Sequence, residues 1–181
     1  MTSEPIDSKR EGIVTAMAVP TRRVRAAGII LGLGLGGFFD GIVLHQLLQW
    51  HHMLTSAGFP PNSVENLQIN TLADGLFHAL TYVLTVVGLF LLWRAYAAGE
   101  RPGSLAQLAG LLLLGWGLFN VVEGLLNHYL LGIHHVRDDV TGTTQALWDL
   151  GFLLWGAAMV VIGWWLSRRP AGQPPVSATY E

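Results

Sequence analysis

Hydrophobic positions along this chain do not alternate, nor do they mark one face of a helix; they run together. Four stretches, near residues 24–50, 71–93, 105–131 and 144–166, are almost continuously apolar. Each reaches the roughly 20 residues that a helix needs to cross a bilayer. In the first, GIILGLGLGGFF is wholly apolar before Asp40 and His45 interrupt it. The earlier run IVTAMAV is too short to span, and with no cleavable signal evident the first helix is expected to direct insertion. The pattern predicts an all-α integral membrane protein. Its parts are a polar N-terminal segment (1–23), a four-helix transmembrane domain (24–167) and a Pro-rich, polar, disordered tail (168–181).

Two segments match when offset by 83 residues. DGIVLHQLLQWHHM begins at Asp40 and EGLLNHYLLGIHHV at Glu123, and both read acid-Gly-x-x-x-His-x-Leu-Leu-x-x-His-His. Gly32 and Gly34 align with Gly115 and Gly117. Helices 2 and 4 match more weakly at an offset of 75, which sets Asp74, Phe77, Gly88 and Arg94 against Asp149, Phe152, Gly163 and Arg169. His78 breaks the pattern, its counterpart being Leu153. The chain therefore reads as two helical hairpins in parallel orientation, 24–94 and 105–169, related by an axis along the membrane normal and packed as a four-helix bundle. Small residues such as Gly32, Gly34, Gly36 and Gly37 suit close helix approach.

Lys and Arg are retained on the cytoplasmic side. Lys9, Arg10, Arg22, Arg23, Arg25, Arg94, Arg101, Arg168 and Arg169 all fall at one end of the spans, and Arg137 alone at the other. Both termini are thus expected in the cytoplasm, with the 51–70 and 132–142 loops outside. Trp50 and Trp148 near the outer interface, and Trp93, Trp164 and Trp165 near the inner one, read as an aromatic belt.

Composition narrows the chemistry. Of 181 residues, 51% are hydrophobic and 12% charged, about half the charge of a soluble domain. The formal net charge of −2 offers no basic face for nucleic acid. With no cysteine, disulfides, iron–sulfur clusters and thiolate metal sites are excluded. GLGLGG lies inside a span with no strand before it, so it is no dinucleotide fingerprint.

What remains is seven His and a set of acids within or beside apolar runs. Burying such groups costs several kcal/mol unless they are paired or ligated. At about 1.5 Å per residue, His45, His78, His128 and Asp149 fall roughly 8–10 Å below the outer end of their helices, one from each. A ligand-type layer across four helices is a metal-bundle arrangement. The expected ligands are His45, His78 and His128, completed by Asp74 or Asp149. Asp74 and His78, four apart, share a helix face. Asp40 and His45, five apart, diverge by about 140° on an α-helix, so Asp40 and Glu123 are read as partners that orient a ligand or relay protons. The pairs His51/His52 and His134/His135 are placed at the outer mouth, as a vestibule or second metal site. Asn120 and Asn127 are read as interhelical hydrogen-bond donors, and Asp138 and Asp139 as a solvated loop. His and carboxylate without thiolate suits copper, iron or zinc.

At GFFDGIVLHQLLQWHHM, DGLFH and EGLLNHYLLGIHHVR the sequence resembles a family of small bacterial four-span membrane proteins of unknown function, across roughly residues 26–166. The resemblance implies a location in the bacterial inner membrane and supplies no activity. Asp74 and His78 also resemble the Asp-x-x-x-His of the copper-site helix in membrane methane and ammonia monooxygenases, but the later His of that pattern is missing here.

Several functions fit. The first is metal handling or delivery, with a periplasmic or membrane partner protein. The second is a metal-dependent oxidoreductase acting on a lipid-soluble substrate or quinone. A b-type haem held by His45 and His128, or a metal-free proton or ion conductor, uses the same residues. Membrane lipid is the surrounding partner, and a homo-oligomer fits the architecture.

Overall fold

The computed structural model describes residues 19–169. Most of the expected polar N-terminal segment, and all but two residues of the expected tail, lie outside them. The described residues form four membrane-length helical spans and no strand. The first comprises α1 (Arg22–Phe39) continued by a π-helical segment, π1 (Asp40–Leu47). The second is α2 (Val64–Ala97), the third α3 (Leu105–Glu123) continued by π2 (Gly124–Leu130), and the fourth α4 (Gly142–Ser167). The starts of α1, α2 and α3 are capped by the hydroxyls of Thr21, Ser63 and Ser104, which accept from the N–H groups of Val24, Asn66 and Gln107.

At 34 residues, α2 begins seven residues before the expected span. The Ser63 cap starts it there. Asn70, fully buried, then ties it to the preceding loop, accepting from Leu54 N–H at 2.9 Å and donating to Phe59 O at 2.7 Å.

The helices meet through glycine rather than large side chains. A Cβ on Gly32 would lie 2.2 Å from Leu112 O, and one on Gly115 2.1 Å from Ile29 O, so α1 and α3 touch backbone to backbone. Gly34 and Gly88 do the same work between α1 and α2, as do Gly117 and Gly163 between α3 and α4. Most Leu, Val and Trp side chains of the spans face outward, as a lipid surround requires. α1 packs on α2 and α3, and α3 on α1 and α4; no Cα of α1 or π1 comes within 8 Å of α4.

Above this bundle the two loops clasp each other. Asp138 N–H donates to Trp50 O at 3.0 Å, Ser56 N–H to Ile133 O at 2.9 Å, and Ser56 Oγ to Asp138 Oδ1 at 2.9 Å. Each loop leaves its π-segment through a left-handed residue, Gln49 (φ 51°) in one and Gly132 (φ 58°) in the other, again 83 apart. The turn folds the chain back over the helix ends instead of letting it run outward.

Candidate metal centre

The π-segments set the geometry of the site. In a π-helix the backbone bonds run from i to i+5, which brings residues five apart onto one face. Asp40 and His45 therefore do not diverge as an α-helix would make them: Asp40 Oδ2 and His45 Nε2 stand 3.2 Å apart, both side chains buried. Glu123 and His128 repeat this across π2, with Oε1 and Nε2 at 3.4 Å.

The loops add two more imidazoles. His51 and His134, expected at the mouth, are 3% and 0% exposed because the clasped loops turn them inward. Their rings stack with centroids 4.6 Å apart and planes 2° apart, wedged between His45 and His128. His52 and His135 stay partly exposed at the rim, each holding the outer oxygen of a buried aspartate: His52 Nδ1 to Asp74 Oδ2 at 2.8 Å, His135 Nδ1 to Asp149 Oδ2 at 2.7 Å.

Hydrogen bonds fix which ring nitrogen is bare. A carbonyl can only accept, so His51 Nδ1 donates to Val136 O (3.0 Å) and His134 Nδ1 to Met53 O (3.1 Å). Asp74 accepts from Met53 N–H, His52 and His45, the last at 2.8 Å through Nδ1. With Nδ1 protonated, each neutral ring carries its lone pair on Nε2. Burial, and then the neighbouring His134 and His45, hold the His51 imidazole well below its ordinary pKa, which keeps it neutral. Among the described residues its Nε2 makes no hydrogen bond, nor do His45 Nε2, either nitrogen of His128, Asp40 Oδ2 or Glu123 Oε2. His134 Nε2 lies 2.9 Å from Glu123 Oε1, which like the Met53 carbonyl only accepts, so the neutral ring can donate to one of the two and not to both. The shorter Asp40, the counterpart of Glu123, leaves His51 without such a neighbour.

These atoms gather into two adjoining groups. His45, His51 and His134 offer ligand atoms within 4.8 Å of one another, and so do Glu123, His128 and His134. Around them Asp74 and the Val136 and Met53 carbonyls hold the Nδ1 sides, as orienting partners of metal-bound imidazoles do. Asp149 fills the equivalent place for His128 at 3.5 Å, while accepting from Val136 N–H at 3.0 Å. Among the described residues, four buried carboxylates, Asp40, Asp74, Glu123 and Asp149, meet only His and backbone or amide donors.

Other expected residues lie elsewhere. His78 donates Nδ1–H to the carbonyl of Asp74 in its own helix (2.8 Å) and turns its Nε2 against Gly41, outside both groups. Asn120 crosses from α3 to Met159 Sδ on α4 at 3.7 Å, whereas Asn127 donates to Glu123 within its own span. Asp138 is half-buried, accepting from Ser56 and His135 N–H, and burial raises its carboxyl pKa; only Asp139, paired with Arg137, is the exposed loop acid expected. Asn70 and the Met53 and Val136 carbonyls were missed. The i, i+2 spacing of Met53 and Val136 from the first His of each His-His pair was their one available signal.

The model of the family described as "Predicted membrane protein (DUF2243)" matches residues 27–170. The chain belongs to this family. Both segments that carry the buried histidines of this DUF2243 member lie within the matched region. No curated protein and no solved structure matches the chain.

Proposed function

We propose that this is a bacterial inner-membrane metalloprotein that holds copper, iron or zinc, as one or two ions, in a His/carboxylate centre in the outer half of the bilayer. The observation that carries the reading is the set of buried acceptors that face each other. With the rings neutral and protonated at Nδ1, His45 Nε2 against Asp40, and His128 and His134 Nε2 against Glu123, repel unless a proton or a metal ion lies between them. Protons alone would put imidazolium charges on His45, His128 and His134, and the His134 ring centroid lies 5.8 Å from that of His45 and 5.1 Å from that of His128. Two divalent ions would offset the four buried carboxylates without that repulsion. His and carboxylate donors suit these metals.

The Arg-rich helix ends, opposite the cluster, support cytoplasmic termini and an outward-facing centre. The stacked His51–His134 pair fills the space between His45 and His128 that a haem would need. Ligands this enclosed favour a resident centre, suited to redox work, over rapid delivery to a partner.

The test is elemental analysis of the protein purified in mild detergent without a histidine tag. One or two equivalents of metal are expected, most of it lost in the His45→Ala/His128→Ala variant and retained in Asp138→Ala/Asp139→Ala. Copper or iron supports redox chemistry, zinc supports handling, and no metal overturns the reading.

A further inference from the structure

Between π1 and α4, where the two backbones stand apart, the bundle leaves a cavity of about 480 Å³. Its walls carry Phe39, Trp50, Trp148, Phe152 and Trp155, and Asp40 also lines it. Phe39 (44% exposed), Trp148 (40%) and Trp155 (61%) show large surfaces, which in a membrane span means that the cavity opens sideways to lipid. At its outer end Trp50 and Trp148 meet with centroids 5.3 Å apart under the Arg137 guanidinium, 4.8 and 5.5 Å from the two rings.

Two features separate this cavity from an ordinary gap between helices. The aromatic lining is one-sided: the positions corresponding to Phe39, Trp50, Trp148 and Trp155 in the other half are Val122, Ile133, Ala73 and Leu80. Packing of two matched hairpins does not require that difference. The second feature is Asp40, 3% exposed: its Oδ2 is turned to His45 Nε2 at 3.2 Å, and among the described residues no hydrogen bond reaches its other oxygen, Oδ1. An acyl chain satisfies the aromatic walls but brings no donor for a carboxylate. A flat ring with a hydroxyl supplies both a stacking face and an O–H donor.

We propose that this cavity binds the hydroxylated aromatic head of a lipid-soluble quinol, entering from the bilayer between π1 and α4 and donating a hydrogen bond to Asp40. Asp40 also stands beside His45, so the same carboxylate borders both the ligand pocket and the histidine cluster. Ligand binding is a separate property from metal binding and is read separately.

The probe is 2-heptyl-4-hydroxyquinoline N-oxide, a redox-inert hydroxylated ring with an alkyl tail, titrated into the detergent-solubilised protein and followed by quenching of its fluorescence. Gly151 lines the cavity, and a Cβ there meets nothing within 4 Å, so Gly151→Leu fills the space without disturbing a helix contact. Gly75, equally open on α2, gives the control Gly75→Leu. Saturable binding near one per chain is expected for the parent and Gly75→Leu, at least tenfold weaker for Gly151→Leu with metal content unchanged, and weaker again for Asp40→Ala. Non-saturable quenching alike in all four proteins overturns the site. Binding that Gly151→Leu weakens but Asp40→Ala leaves unchanged overturns the hydroxyl contact and marks a groove for acyl chains.

Discussion

His51 and His134 stack face to face, 4.6 Å between centroids, and each donates Nδ1–H to a backbone carbonyl of the opposite loop, Val136 or Met53. The pair is reciprocal: each loop supplies the imidazole that the other loop orients. Gly32 and Gly115, also 83 apart, meet in the same self-matched way at the α1–α3 crossing. The bundle is thus joined at the glycines and at the histidines, and the centre lies next to the second junction.

Because His51 and His134 are buried beside bare acceptors while His78 turns away, the three should separate in a metal assay. His51→Ala/His134→Ala is expected to lose most bound metal and His78→Ala to keep it, measured as metal per chain after size-exclusion chromatography. Metal loss in His78→Ala with retention in the pair would move the centre to α2.

Asp74 bonds His45 Nδ1 at 2.8 Å, and Asp149 stands 3.5 Å from His128 Nδ1. Removing such an orienting partner typically costs about 10–100-fold in metal affinity. Asp74→Asn and Asp149→Asn should fall in that range by competition with a chelator, with helicity by circular dichroism unchanged.

Metal that binds only the folded state stabilises it by about 4 kcal/mol at a thousand times its dissociation constant. Stripping with a membrane-compatible chelator should lower the thermal midpoint of the parent, and add-back should restore it. The His45→Ala/His128→Ala variant should show no such response.

At the crossing, a methyl group has nowhere to go. Gly32→Ala and Gly115→Ala should each destabilise by about 1–3 kcal/mol or more, from overpacking against main-chain oxygen. Gly75→Ala and Gly151→Ala, where added atoms meet open space, should leave the thermal midpoint unchanged or raise it.

Gln49 holds a left-handed conformation that costs an L-residue about 1–2 kcal/mol, while its counterpart Gly132 does so freely. Gln49→Gly should stabilise the bundle, and Gly132→Ala should destabilise it by about 1 kcal/mol, in the same thermal assay.

Length and apolarity alone determined the four spans, because a bilayer leaves a helix no alternative way to satisfy its backbone. The matched motifs at Asp40 and Glu123 likewise marked where the buried polar groups lie, since burial of an acid and a histidine is too costly to be incidental. Their mutual geometry was not legible, for two physical reasons. Nothing in DGIVLHQL or GLLNHYL announces i to i+5 bonding, yet that local widening brings Asp40 onto His45 and Glu123 onto His128. The inward turn of His51 and His134 depends on bonds between loops some 80 residues apart, which no local pattern encodes. The membrane fixed the helices; only the tertiary clasp decided which nitrogens are left bare.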